Sequence, residues 1–170
     1  MMWGDRTQVQ KGVLGETIID RYLKSKNLIP YQAVYDGAHP FDRIIASPDK
    51  KNIYLADAKT KARRTYYPDT GININHYMQY EYLMDKYNIR VFLFFVDEWQ
   101  KKVYGNFLDL LQEEVLINHN GKDIKYPFKQ GRIIYFPLTS MRDICELEDL
   151  EAEKLKQLSL RNYSYLQEVI

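Results

Sequence analysis

The chain of 170 residues holds a single cysteine, Cys145. It therefore has no partner for an internal disulfide and suits a reducing, cytoplasmic setting. Cys145 falls in a stretch that reads as helix, far in sequence from any His, and is assigned to packing. Long apolar runs are missing too. The longest, Val91 to Val96, is far short of the roughly 20 residues that cross a bilayer, and "MMWGDRTQVQKG" lacks the apolar centre of a signal peptide. No membrane partner is expected. The three histidines, at 39, 76 and 119, have no metal-ligand spacing, and His39 reads as a loop residue. There is no Cys/His zinc pattern, P-loop, glycine-rich dinucleotide fingerprint or Gly-x-Ser-x-Gly elbow, so those chemistries lose their usual signatures. Repeats, low-complexity tracts and clear linkers are also absent.

What is present is enough for one domain with a real core: 45% hydrophobic and 28% charged residues. The net charge of +1 conceals an asymmetry. Residues 1–64 carry 12 Lys+Arg against 7 Asp+Glu, and the remainder carries 12 against 16. A basic N-terminal part is compatible with a polyanionic partner, although charge alone favours ordinary solvated surface. Fifteen tyrosines can stack on bases or fill half-buried strand positions.

Apolar residues at Val9, Val13, Leu14, Ile18, Tyr22 and Leu23 predict a helix over 7–26, closed by Asn27. Strand-like runs follow at about 31–36, 41–46 and 53–60. "ARRTYYPDTGININ" reads as a loop with a turn at Gly71, and Asn73 or Asn75 as N-cap of a helix over about 75–87. "IRVFLFFVD" is a strand covered on both faces, "KKVYGNF" another, and "LDLLQEE" a short helix. Asn120-Gly121 marks a hairpin, "GRIIYFP" a further strand, and Ser140 with Asp143 the start of a C-terminal acidic helix. The order implies a mixed α/β domain with a central sheet and helices on its faces.

The strands "FDRIIA" and "IYLADAK" carry charge where apolar residues belong. A hairpin that closes Ala46 against Ile53 sets Ile44 opposite Leu55 and Asp42 opposite Asp57. Unless a bulge intervenes, the two carboxylates are cross-strand neighbours with Cβ atoms about 4.5–5.5 Å apart. Lys59, two residues on, projects from the same face. Ala56 and Ala58 on the other face let a helix approach. Opposed carboxylates destabilise a sheet unless a shared proton, a cation or a metal compensates. Mg²⁺ does so with one or two carboxylates and waters, and the Ala58 carbonyl is a further candidate ligand. A surface hairpin with weak salt bridges is the alternative.

An Asp in one strand followed by Asp-x-Lys in the next resembles the PD-(D/E)XK nucleases, which have the restriction-endonuclease-like fold. Here the strands read "HPFDRII" and "YLADAKTKA"; Pro40 stands one residue further from Asp42 than in the pattern. "GVLGETIIDRYL", with Glu16, is similar to the opening helix of Holliday-junction-resolvase-like and RecB-like members. "INHYMQYEYL" offers His76, Gln79 and Tyr80, near the polar helix position of the family, although no Tyr stands four residues after Gln79. The resemblance covers residues 7 to about 97.

It implies a mixed central sheet flanked by helices over a core of about 7–110; the hairpin and helix read from the residues over about 111–170 form a C-terminal extension that the resemblance does not cover. It also implies a Mg²⁺-dependent nuclease, with Mn²⁺ as a substitute, acting on nucleic acid, with DNA the leading substrate and RNA left open. Asp42, Asp57, the Ala58 carbonyl and Glu16 would hold metal, Lys59 would position the attacking water, and Gln79 would assist. Lys61, Arg63 and Arg64 are candidates for phosphate contacts, with Tyr66 and Tyr67 beside them. Cutting both strands of a duplex would favour a homodimer. The alternatives are a nucleic-acid-binding protein that does not cut and a protein-interaction module.

Overall fold

The computed structural model describes residues 6–32, 40–49 and 51–168, with side chains as far as Leu160. His39 and most of the strand expected at 31–36 lie outside the described residues. Helix α1 spans Thr7–Ser25 and ends at Asn27, whose positive φ turns the chain so that the Leu28 amide caps the Leu23 carbonyl. Strands β1 (Ile29–Tyr31), β2 (Arg43–Ala46) and β3 (Ile53–Lys59) follow. After β4 (Asp69–Asn73) come helix α2 (Ile74–Tyr87), β5 (Val91–Asp97), β6 (Lys102–Phe107) and helix α3 (Leu108–Leu111). The remainder is β7 (Val115–His119), β8 (Lys122–Tyr126), β9 (Phe128–Gln130), β10 (Ile133–Pro137), β11 (Arg142–Glu146) and helix α4 (Asp149–Glu168).

Six strands form a central mixed sheet in the order β1-β2-β3-β5-β6-β11. Its one parallel pair is β3–β5; the other neighbours run antiparallel. All seven residues of β5 are buried, as its unbroken apolar run requires. One face packs Ile45, Ala56, Phe92, Phe94 and Val96 against Ile18, Ile19 and Leu23 of α1 and Ala152 and Leu155 of α4. The other packs Leu55, Leu93 and Phe95 against Tyr80 of α2, Leu108 and Leu111 of α3, and Ile72, Ile134 and Phe136 of a small sheet ordered β4-β10-β9. The fold is thus the mixed α/β sheet flanked by helices that the sequence predicts. The β7–β8 hairpin turns at Asn120 and Gly121, both with positive φ.

Three local expectations need correction. The segment read as a loop at 62–75 contains β4, and Gly71 lies inside that strand opposite Tyr135 rather than in a turn. A Cβ there would come within 2.2 Å of the Ile134 carbonyl, so glycine permits the close approach of β10. Cys145 lies in β11, not in a helix, because this segment pairs with the edge of β6. Accordingly α4 begins at Asp149, with the Glu148 amide capped by Glu151 at 2.9 Å, and not at Ser140. No helix among the described residues is long and apolar enough to cross a membrane.

Candidate active site

The β2–β3 hairpin has the register read from the sequence, with Ala46 opposite Ile53 and Ile44 opposite Leu55. The ladder stops at Arg43 opposite Ala56. One residue earlier the Asp42 amide donates to the Ala56 carbonyl at 3.0 Å instead of pairing with Asp57. This local shift is the bulge that the direct-pair expectation excluded. Odd residues of β3 address β5, as the bond from the Leu55 amide to the Arg90 carbonyl shows, so Ala56 and Ala58 address β2. Where β2 runs out, the Asp42 carboxylate replaces it: Oδ2 accepts from the Ala58 amide at 2.7 Å. Strand alternation puts the Ala58 carbonyl on that same open edge.

Asp57 is 3% exposed and lies beside its own strand neighbour, with Lys59 Nζ 2.6 Å from its Oδ2. The ammonium is off the hydrogen-bonding direction, which leaves the buried Oδ2 without a hydrogen-bond partner. Lys59 Nζ also lies 3.1 Å from His76 Nδ1, and Tyr80 Oη is 3.4 Å from that nitrogen. Burial pushes the Asp57 carboxyl up, the Lys59 charge 2.6 Å away pulls it down, and the Glu16 charge adds to the rise.

Helix α1 brings Glu16 to the fork between β2 and β3. A Cβ on Gly15 would come within 2.1 Å of Thr60 Oγ1, so the helix rests directly on the residue after Lys59. The Thr60 hydroxyl donates to the Lys11 carbonyl at 3.2 Å. Arg43, 6% exposed, reaches back under the helix. It donates to both oxygens of Asp20 at 2.9 Å, to Glu16 Oε2 at 3.1 Å and to the Asp42 carbonyl at 2.8 Å. Burial and the neighbouring Asp42 charge still raise the Glu16 carboxyl. Asp42 is pushed up to about 6 by burial and by the Asp57 charge, against the lowering effect of the Ala58 amide, Lys59 and Arg43.

Glu16, Asp42, Asp57 and Ala58 thus line one cleft with Asp20, Arg43 and Ala56. The space inside it, about 10 Å³, is that of about one water and far below the roughly 300–1,000 Å³ of small-molecule pockets. It has room for a single ion and none for a base. Four carboxylates, of Glu16, Asp20, Asp42 and Asp57, share the two cations Arg43 and Lys59, leaving a formal charge of −2. Among the described residues no three His, Cys, Asp or Glu side chains already point at a common centre. Asp42 is turned to the Ala58 amide, Asp57 to Lys59 and Glu16 to Arg43.

Other residues singled out in the sequence lie elsewhere. Gln79 is on the exposed side of α2, because one helical step of about 100° separates it from the buried Tyr80. Tyr80 and His76, four residues apart, are the pair that faces Lys59. Arg64 is committed to structure: it grips the buried Asp69 at 2.7 and 2.6 Å, reaches Gln130 at 2.8 Å, and stacks between the Tyr67 and Tyr135 rings. Arg63 is exposed, with its amide held by Asp97 at 3.0 Å. Lys61 is half-buried near the Tyr135 ring, and burial lowers its ammonium. Tyr66 is exposed, and Tyr67 packs on His119.

Arg43 and Asp20 were not recognised from sequence. The usable signal was strand parity: Arg43 projects from β2 on the Ala56 face, which α1 covers.

No protein-family model matches the chain, and no curated protein matches it. Among solved structures, it is similar to a Holliday junction resolvase from the archaeal hyperthermophile Archaeoglobus fulgidus. The overlap covers 67% of this chain and 86% of the resolvase, at 10% sequence identity and a TM-score of 0.46.

Proposed function

We propose that this protein is a metal-dependent nuclease that hydrolyses phosphodiester bonds in DNA, by the chemistry that its Asp and Asp-Ala-Lys strands resemble. The observation that carries the reading is the uncompensated charge of −2 around a cleft of ion size, with Asp57 Oδ2 buried and lacking a hydrogen bond. A buried carboxylate set of this kind is stable when paired with cations, and the donors are the hard oxygens that Mg²⁺ or Mn²⁺ takes. Asp42, Asp57 and the Ala58 carbonyl would hold the ion, with Glu16 as a further or outer ligand. The bound ion would supply Lewis acidity at the phosphoryl oxygen.

The chain's own residues do the rest. Lys59, 23% exposed at the rim, orients the attacking water and offsets negative charge that builds on phosphorus. The Ala58 amide fixes Asp42, and Arg43 fixes Glu16. Of the basic residues after β3, Arg63 is the exposed one and the best placed to meet a flanking phosphate; Arg64 is already consumed by Asp69.

The test is a cleavage assay on plasmid, branched and single-stranded DNA and on RNA, with Mg²⁺, Mn²⁺ or EDTA. Wild type should cut in Mg²⁺ or Mn²⁺ and stop in EDTA. Lys59→Ala should lose at least about 100-fold in rate while keeping its fold and its affinity for DNA. A wild type that binds DNA yet never cuts any of these substrates would replace the enzyme with a non-cutting binder.

A further inference from the structure

Lys59 has a second partner that the proposed chemistry leaves unused. His76 stands in the first turn of α2, held by the N-cap bond from the Asn75 amide to Asn73 Oδ1 at 3.0 Å. Its ring meets the Tyr80 ring edge-on, with centroids 6.2 Å apart. Because an ammonium only donates, the 3.1 Å contact to Nδ1 requires the imidazole to carry its proton on Nε2. The Tyr80 hydroxyl, the other group near Nδ1, lies farther from it, at 3.4 Å. The shorter contact, at 3.1 Å, is the one from Lys59. The ion pair with Asp57 does not aim the amine, since it lacks hydrogen-bond direction, whereas the imidazole lone pair is directional.

We propose that His76 is the positioning residue for Lys59: its Nδ1 accepts from the ammonium and fixes the amine at the rim of the carboxylate cleft. The inference rests on the nuclease reading for its kinetic consequence and on geometry alone for the contact. His76 touches neither the carboxylates nor, by this account, the substrate. Its loss should therefore appear as misplacement of the amine, in kcat rather than in KM.

Two variants separate acceptor from bulk. Asn places Oδ1 close to the position of the imidazole Nδ1, while Leu fills similar space with no acceptor. His76→Leu should lower kcat about 10- to 100-fold with KM within about twofold, and His76→Asn should recover to within about threefold of wild type. Equal activity of Leu and Asn variants, or a change in KM alone, would overturn the proposal while leaving the nuclease reading intact. ¹⁵N NMR of the imidazole gives a readout that needs no cleavage. The contact requires an unprotonated, hydrogen-bonded Nδ1 whose resonance moves in Lys59→Met. A protonated Nδ1, or a resonance indifferent to Lys59, overturns the proposal even if no nucleic acid is ever cut.

Discussion

Asp42 shows what the site costs the folded chain. Its carboxyl is pushed up to about 6 because burial and Asp57 oppose ionisation. The folded state therefore holds its proton to higher pH than the unfolded state does. Stability contributed by the protonated form is present below about pH 4 and is lost as pH rises through about 6, up to about 3 kcal/mol in all. Asp42→Asn keeps an acceptor for the Ala58 amide and removes the ionisation. Without divalent ions, the variant should melt several degrees above wild type at pH 8 and level with it near pH 4, as thermal unfolding across that range will show. A gap that does not change with pH would mean that Asp42 ionises freely. The assignment of Asp42, Asp57 and Lys59 to one neighbourhood was legible because strand alternation and hairpin register are local rules. The fate of Arg64 was not. Nothing in "RRTYYPD" tells that Asp69 folds back, fully buried, to take the guanidinium together with the Tyr126 hydroxyl at 2.6 Å.

At the scale of elements, the contact of α1 with the end of β3 sets the position of Glu16. Gly15 and Thr60 are its two sides. Gly15→Ala should destabilise the protein by about 1–3 kcal/mol, because its Cβ meets Thr60 Oγ1 and the helix must shift. In a Thr60→Ala background that oxygen is gone, and the same Gly15→Ala change should instead stabilise by the usual advantage of alanine over glycine in a helix, about 1 kcal/mol. Denaturant unfolding of the four chains measures this reversal of sign; additive single effects would contradict it. Helices and long strands with strong periodicity were readable in the sequence, α1 and β5 above all. Elements whose partners lie far along the chain were not: β4 is ordered by β10, more than 50 residues later, and β11 by β6. The Ser140–Asp143 spacing is a genuine capping signal, but backbone pairing along an open sheet edge outweighs it.

For the whole molecule, two layers of helices and a small second sheet cover both faces of the central sheet, while a fork in that sheet is left open. The packing around the fork is apolar and dense, and its charges do not cancel. Such an arrangement lowers stability unless a cation completes it. Calorimetric titration of the metal-free protein with Mn²⁺ at pH 8 tests this most directly, comparing wild type with Asp57→Asn. We expect one saturable site in wild type and at least about a tenfold loss of affinity in the variant. Failure of the wild type to take up Mn²⁺, or equal uptake by the variant, would contradict the account.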